Sequence, residues 1–214
     1  MTQMPNVPLP IELNPLVNSE NPGVVTGEFW GIPEELLPRP EVTDDLLEYL
    51  TYLETKKLEL TVSPPKAWRR LFHCSPQRPE GFAPQPVWDK DKRDVWSFEN
   101  YGIVVKENHV AGIGGNEKEA HNDSLYREQM RGIWVHFPVW GITPKHRFLI
   151  MARADSIPFL SKTENPQLMQ AVERYAMPYI SDCSAKNFGV ICRGGQRFWA
   201  SVDIDFGSPP IVRR

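Results

Sequence analysis

His121, Asp123, His136 and His146 are the side chains in this sequence best suited to hold a metal ion. Imidazoles and carboxylates ligate metals at characteristic spacings. No HExxH occurs, and residues two apart on a helix, such as His121 and Asp123, do not share a face. Asp203 and Asp205 lie on one face of a C-terminal strand and, with a third ligand, would chelate Mg²⁺. Together with a histidine they define a metal-dependent hydrolase as one alternative. A two-acid-plus-lysine nuclease also needs a Glu-x-Lys nearby, which Phe188–Arg193 does not contain.

Other catalytic patterns fail on specific residues. Gly112-Ile113-Gly114-Gly115-Asn116-Glu117-Lys118 resembles a phosphate loop only superficially. A dinucleotide fingerprint needs glycine where Glu117 stands, and a P-loop needs Ser or Thr after the lysine. Two carboxylates at the start of the helix would repel the anion. Asp205-Phe206-Gly207 has the letters of the kinase metal triplet without a catalytic loop before it. No GxSxG occurs, and the adjacency of His73 and Cys74 does not make a dyad. The expectation is no catalytic residues, no cofactor and no metal.

Rings and guanidiniums are more abundant than reactive groups. Lys66-Ala67-Trp68-Arg69-Arg70 and Arg193-Gly194-Gly195-Gln196-Arg197-Phe198-Trp199 mix cations with aromatics. Single-stranded nucleic acids bind where bases stack on rings and guanidiniums take phosphates. Arg69, Arg70, Arg193, Arg197, Trp134 and Trp199 are the candidates for that alternative. Aromatic residues are also the usual anchors of protein interfaces, and Phe29, Trp30, Trp68, Trp88 and Trp199 are candidates for partner binding.

The elements that position these residues follow from the pattern. Residues 1–40 contain eight prolines. Each proline removes a backbone donor, so an extended arm is expected, with neither helix nor central strand. Its apolar residues are too many for a solvated tether. Thr43–Leu58 is the clearest helix, with Thr43 as cap, Asp44 and Asp45 at its positive end and a leucine stripe. Residues 61–98, rich in proline and tryptophan, read as a packed irregular loop. Tyr101–Lys106 with His109–Ile113 reads as a hairpin, and Glu117–Met130 as a helix. Ile133–Trp140 and Arg147–Arg153 read as strands, and a helix starts at Asn165-Pro166. Phe188–Arg193 and Arg197–Phe206 flank Gly194-Gly195 as a second hairpin.

The 214 residues contain 41% hydrophobic and 24% charged side chains, which fits a globular protein and excludes wholesale disorder. No apolar run reaches membrane-spanning length, so no membrane partner is expected. The first sixteen residues lack the basic and apolar regions of a secretory leader. Cys74, Cys183 and Cys192 match no zinc spacing, and a reducing, cytoplasmic setting is expected. Charge is uneven: residues 1–60 carry net −8 and residues 61–214 net +5.

The expected fold is α+β, a mostly antiparallel twisted sheet of five to seven strands with two or three helices. Residues 1–40 form the arm and 41–214 one domain, the proline-rich stretches covering the sheet edges. The expected function is a non-catalytic interaction protein, a subunit or accessory factor of a larger assembly, with a protein partner or self-association.

Overall fold

The computed structural model describes residues 10–17, 25–59, 85–89, 93–108, 115–129, 132–157, 166–171 and 187–203. The fold is α+β, with sheets that are mostly antiparallel. In chain order the elements are β1 (Ile11–Val17), β2 (Val25–Trp30), β3 (Ile32–Pro33), α1 (Thr43–Glu59), β4 (Gln85–Asp89), β5 (Arg93–Phe98) and β6 (Ile103–Asn108). They continue with α2 (Gly115–Gln129), β7 (Ile133–Trp134), β8 (Val139–Ile142), β9 (Phe148–Ala152), α3 (Pro166–Ala171), β10 (Phe188–Arg193) and β11 (Gln196–Ser201). The chain divides into two compact units. The first comprises Met1–Pro38, Asn122–Phe137 and Ala154–Arg214; the second comprises Arg39–His121 and Pro138–Arg153. Among the described residues no helix is long and apolar enough to cross a membrane.

In the second unit α1 lies on an antiparallel sheet of order β4-β5-β6-β9-β8. Leu46, Tyr49, Leu50 and Leu53 recur at helical spacing and are buried. Their sheet partners alternate as pleating requires: Trp96 and Phe98, Ile103 and Val105, Phe148 and Ile150. Each fully buried leucine contributes about 1.5–3 kcal/mol. Thr43 does not cap α1 as expected. Its hydroxyl donates back to the Pro40 carbonyl at 2.6 Å, and Arg39 grips Asp44 with two hydrogen bonds.

The first unit contains a four-stranded sheet of order β1-β2-β11-β10, in which β2 and β11 run parallel, and a two-stranded β3–β7 pair. The Gly194-Gly195 turn between β10 and β11 forms as expected, both glycines having positive φ, the conformation a two-residue hairpin favours. The core includes Trp30, Ile32, Phe137, Phe188, Val190, Phe198 and Trp199.

Proline placement explains where the sequence reading succeeds and where it does not. Residues 1–40 were expected to exclude a central strand, yet β2 lies between β1 and β11. The window between Pro22 and Pro33 is proline-free, so Val25–Trp30 can donate on both sides. The stretch 61–98, expected to be an irregular loop, contains the β4–β5 hairpin; residues 60–84 lie outside the described residues. The strands that do carry internal prolines, β1 with Pro15 and β4 with Pro86, are both sheet edges. A register shift interrupts each of them. The hairpin expected to pair Tyr101–Lys106 with His109–Ile113 is excluded, because β5 and β9 occupy both sides of β6. The strand expected over Ile133–Trp140 breaks into β7 and β8 around Pro138.

Removing residues 1–24 is expected to strip an edge strand and leave β2, β11 and β10 assembled. Removing residues 1–30 takes a central strand and Trp30, and should abolish cooperative unfolding of the first unit. Hydrogen exchange of the Val190 and Trp199 amides checks this: protection persists in the shorter truncation and is lost in the longer one.

Candidate functional site

The strongest polar constellation in the first unit joins Asp123, Arg127, Trp134 and His136. Asp123 and Arg127 stand four residues apart on α2, one above the other. His136 follows β7 and forms an isolated bridge with Ser201 of β11, which fixes its backbone. His136 Nε2 lies 2.6 Å from Asp123 Oδ1, and Arg127 Nε donates to Asp123 Oδ2 at 2.7 Å. The Arg127 guanidinium stacks 5.0 Å above the Trp134 ring. Asp123 and His136 are two of the three members of a nucleophilic triad in chemistry. Their exposure of 4% and 1% closes them to a substrate. The nearby Ser201 hydroxyl donates instead to the carbonyls of Asn187 and Asp203. This arrangement orients an imidazole without presenting it. It is a structural clasp between α2 and the strand that follows.

In the second unit three buried carboxylates are bound in the same manner. Glu119 accepts from Lys106 Nζ at 2.5 Å and from Arg93 at 3.0 Å. Glu107 accepts two hydrogen bonds from the Arg147 guanidinium, at 3.1 and 2.8 Å. Glu54 accepts from the Thr143 hydroxyl and from the backbone N–H groups of Lys145 and Arg147 at 2.6, 3.0 and 3.0 Å. Burial lowers the Arg147 pKa from 12.5 to about 10, against the raising effect of the Glu54 charge.

Glu54 thereby holds the turn between β8 and β9. Asn116 Nδ2 reaches the carbonyls of His146 and Arg147 from α2, and Asn108 Nδ2 also donates to the His146 carbonyl. At the tip, His146 is the only non-glycine at positive φ (58°) among the described residues. That conformation costs roughly 1–2 kcal/mol for a residue with a Cβ. Its ring nitrogen Nδ1 lies 3.4 Å from Glu117, with side-chain exposures of 45% and 63%. An exposed pair of this kind contributes about 0–1 kcal/mol. The histidine therefore brings no net stability to the turn.

The structure places the sequence candidates as follows. Trp30, Trp134 and Trp199 are buried at 1%, 8% and 1%, so their rings fill the core and offer no open face for stacking. Phe198, Trp199, Ala200 and Ser201 of β11 are buried, so side chains on both faces of its second half are enclosed, contrary to the aromatic platform expected there. Phe29 is half-buried and stacks on Phe198. Arg193 pairs with Asp155 at 2.9 Å; Arg197 pairs with Glu28 at 2.6 Å and lies over the Trp199 ring. Both guanidiniums thus already face carboxylates. Trp68, Arg69, Arg70 and Asp205 lie outside the described residues, as does the Trp88 side chain. Asp203 is half-buried. Of the four metal candidates, Asp123 and His136 are buried and meet each other, while His121 and His146 are exposed. Among the described residues no three His, Cys, Asp or Glu side chains converge to hold a metal.

Sequence reasoning placed Asp123 and His136 together only as members of a possible metal set, and their direct pairing escaped it. The i,i+4 spacing of Asp123 and Arg127 is a signal for a helix face that attracts a third polar group. Compared with protein-family models, with curated proteins and with solved structures, the chain finds no match.

Asp123→Ala should destabilise the fold by about 2–4 kcal/mol, since it leaves a buried imidazole without its acceptor. Denaturant titration of Asp123→Ala, His136→Ala and the double variant should return a coupling of at least ~1 kcal/mol.

Arg147→Met should cost about 3–5 kcal/mol by leaving Glu107 buried without its guanidinium, and adding Glu107→Leu should recover most of that loss.

Proposed function

We propose that the chain is a non-catalytic interaction protein, a subunit or accessory factor that works in the cytoplasm by binding another protein or another copy of itself. The observation that carries this reading is the commitment of its chemistry. Each buried carboxylate among the described residues (Glu28, Glu54, Glu107, Glu119 and Asp123) is engaged by a cation, an imidazole or backbone N–H groups. An active site needs at least one acid or base within reach of a substrate. The cations of the β10–β11 hairpin are likewise met by carboxylates, which favours a protein partner over nucleic acid.

The form of contact follows from the edges. The proline and register shift in each of β1 and β4 oppose pairing with an incoming strand. Association at these two edges then runs through side chains. Leu125 and Ile157, the large hydrophobic residues exposed among those described, suit it.

Light scattering of the eluted full-length chain tests the reading. The expected mass exceeds the 24.6 kDa of one chain and persists as salt rises from about 50 to 200 mM. A monomer without a bound macromolecule at both salt levels would refute the proposal. Ultraviolet absorbance typical of nucleic acid, lost at the higher salt, would favour the nucleic-acid alternative.

A further inference from the structure

We propose that the turn at Thr143–Arg147 is a preformed contact element whose Lys145 and His146 dock on the acidic outer face of α1 in a second copy of this chain. The inference rests on the interaction reading above and names its partner.

The turn is fixed from within. Glu54, Asn116 and Asn108 hold its backbone through the N–H groups of Lys145 and Arg147 and the carbonyls of His146 and Arg147. None of these bonds uses the His146 side chain. Glycine at residue 146 would adopt the same positive φ without strain, so the turn as a connection does not call for histidine. What the histidine adds is an imidazole held in one place on the surface beside Lys145. Both side chains are exposed, and Lys145 has no charged partner among the described residues. A polar group at a strained position that brings no stability marks a contact made elsewhere.

The complementary surface lies in the same unit. Glu41, Asp45 and Glu48, spaced four and three apart, form a stripe beside and along α1, away from its leucine face. All three are exposed and have no cationic partner among the described residues. A two-fold pairing places the Lys145–His146 tip of each copy against the stripe of the other, so the same contact forms twice and the assembly closes.

Sedimentation velocity of the full-length chain tests this with a charge exchange. Lys145→Glu should weaken the dimer on the order of tenfold or more, and adding Glu48→Lys should restore it. His146→Gly should weaken the dimer while leaving the melting temperature unchanged or raised, which a purely structural histidine would not do. A native chain that sediments without a second copy overturns the inference; the broader interaction reading survives that result only where a different macromolecule is bound. A dimer that survives Lys145→Glu unchanged also overturns it and assigns self-association to another surface.

Discussion

A carboxylate removed from water must be met by a cation, an imidazole or backbone N–H groups, and both units of this protein are organised around that requirement. In the second unit Glu54 reaches from α1 to the β8–β9 turn, and Glu119 reaches from α2 to Lys106 on β6 and Arg93 on β5. In the first unit Asp123 ties α2 to the segment after β7, and Glu28 ties β2 to β11 through Arg197. These pairs need not be net stabilising, since desolvation offsets much of the Coulombic attraction. Their effect is to make wrong arrangements costly: a helix shifted by one turn would leave a buried charge unmet. Apolar packing supplies the driving force, and the charges select the register in which it acts.

Proline imposes a second constraint of the same kind. A residue with no N–H cannot serve two neighbours in a sheet, so Pro15 and Pro86 fall in edge strands while proline-free β2 lies inside. β1 and β4 are thus themselves the edge strands of their sheets, whereas the sequence expectation had the proline-rich stretches lie over the edges of others. The stronger expectation, that nothing in residues 1–40 is central, fails because it judged the segment by its proline count. The spacing between prolines decides the matter. Six consecutive residues able to donate are enough for a central strand.

How much was legible depended on the range of the interaction. α1 was readable because leucine periodicity and the charges at its ends are local, and the β10–β11 hairpin because two glycines specify its turn. The class of fold followed from these elements. The candidate rings were read less well: amphipathic alternation along β11 suggested one open face, but Trp199 and Ser201 on that face are as deeply buried as Phe198 and Ala200 on the other. Trp199 and Trp30 are therefore core residues, and no local pattern distinguishes a core indole from an interface indole. The Asp123–His136 clasp was illegible for a related reason. It depends on where the chain returns after α2, which twelve residues of intervening sequence do not specify.

Burial and exposure together separate the two kinds of polar residue in this chain. Among the described residues each enclosed carboxylate has partners of suitable sign and geometry, so its presence is explained by the fold. His146 differs, because the backbone around it is held by Glu54, Asn116 and Asn108 and its own ring is not required. A side chain that costs conformational energy and brings back only an exposed pairing with Glu117 is not accounted for by folding. Folding selects for the anchors beneath the turn; what lies on top of it answers to whatever the turn touches. The rigidity of the anchoring then has a second consequence: a contact made by a fixed tip loses less side-chain and backbone freedom on association than one made by a loose loop.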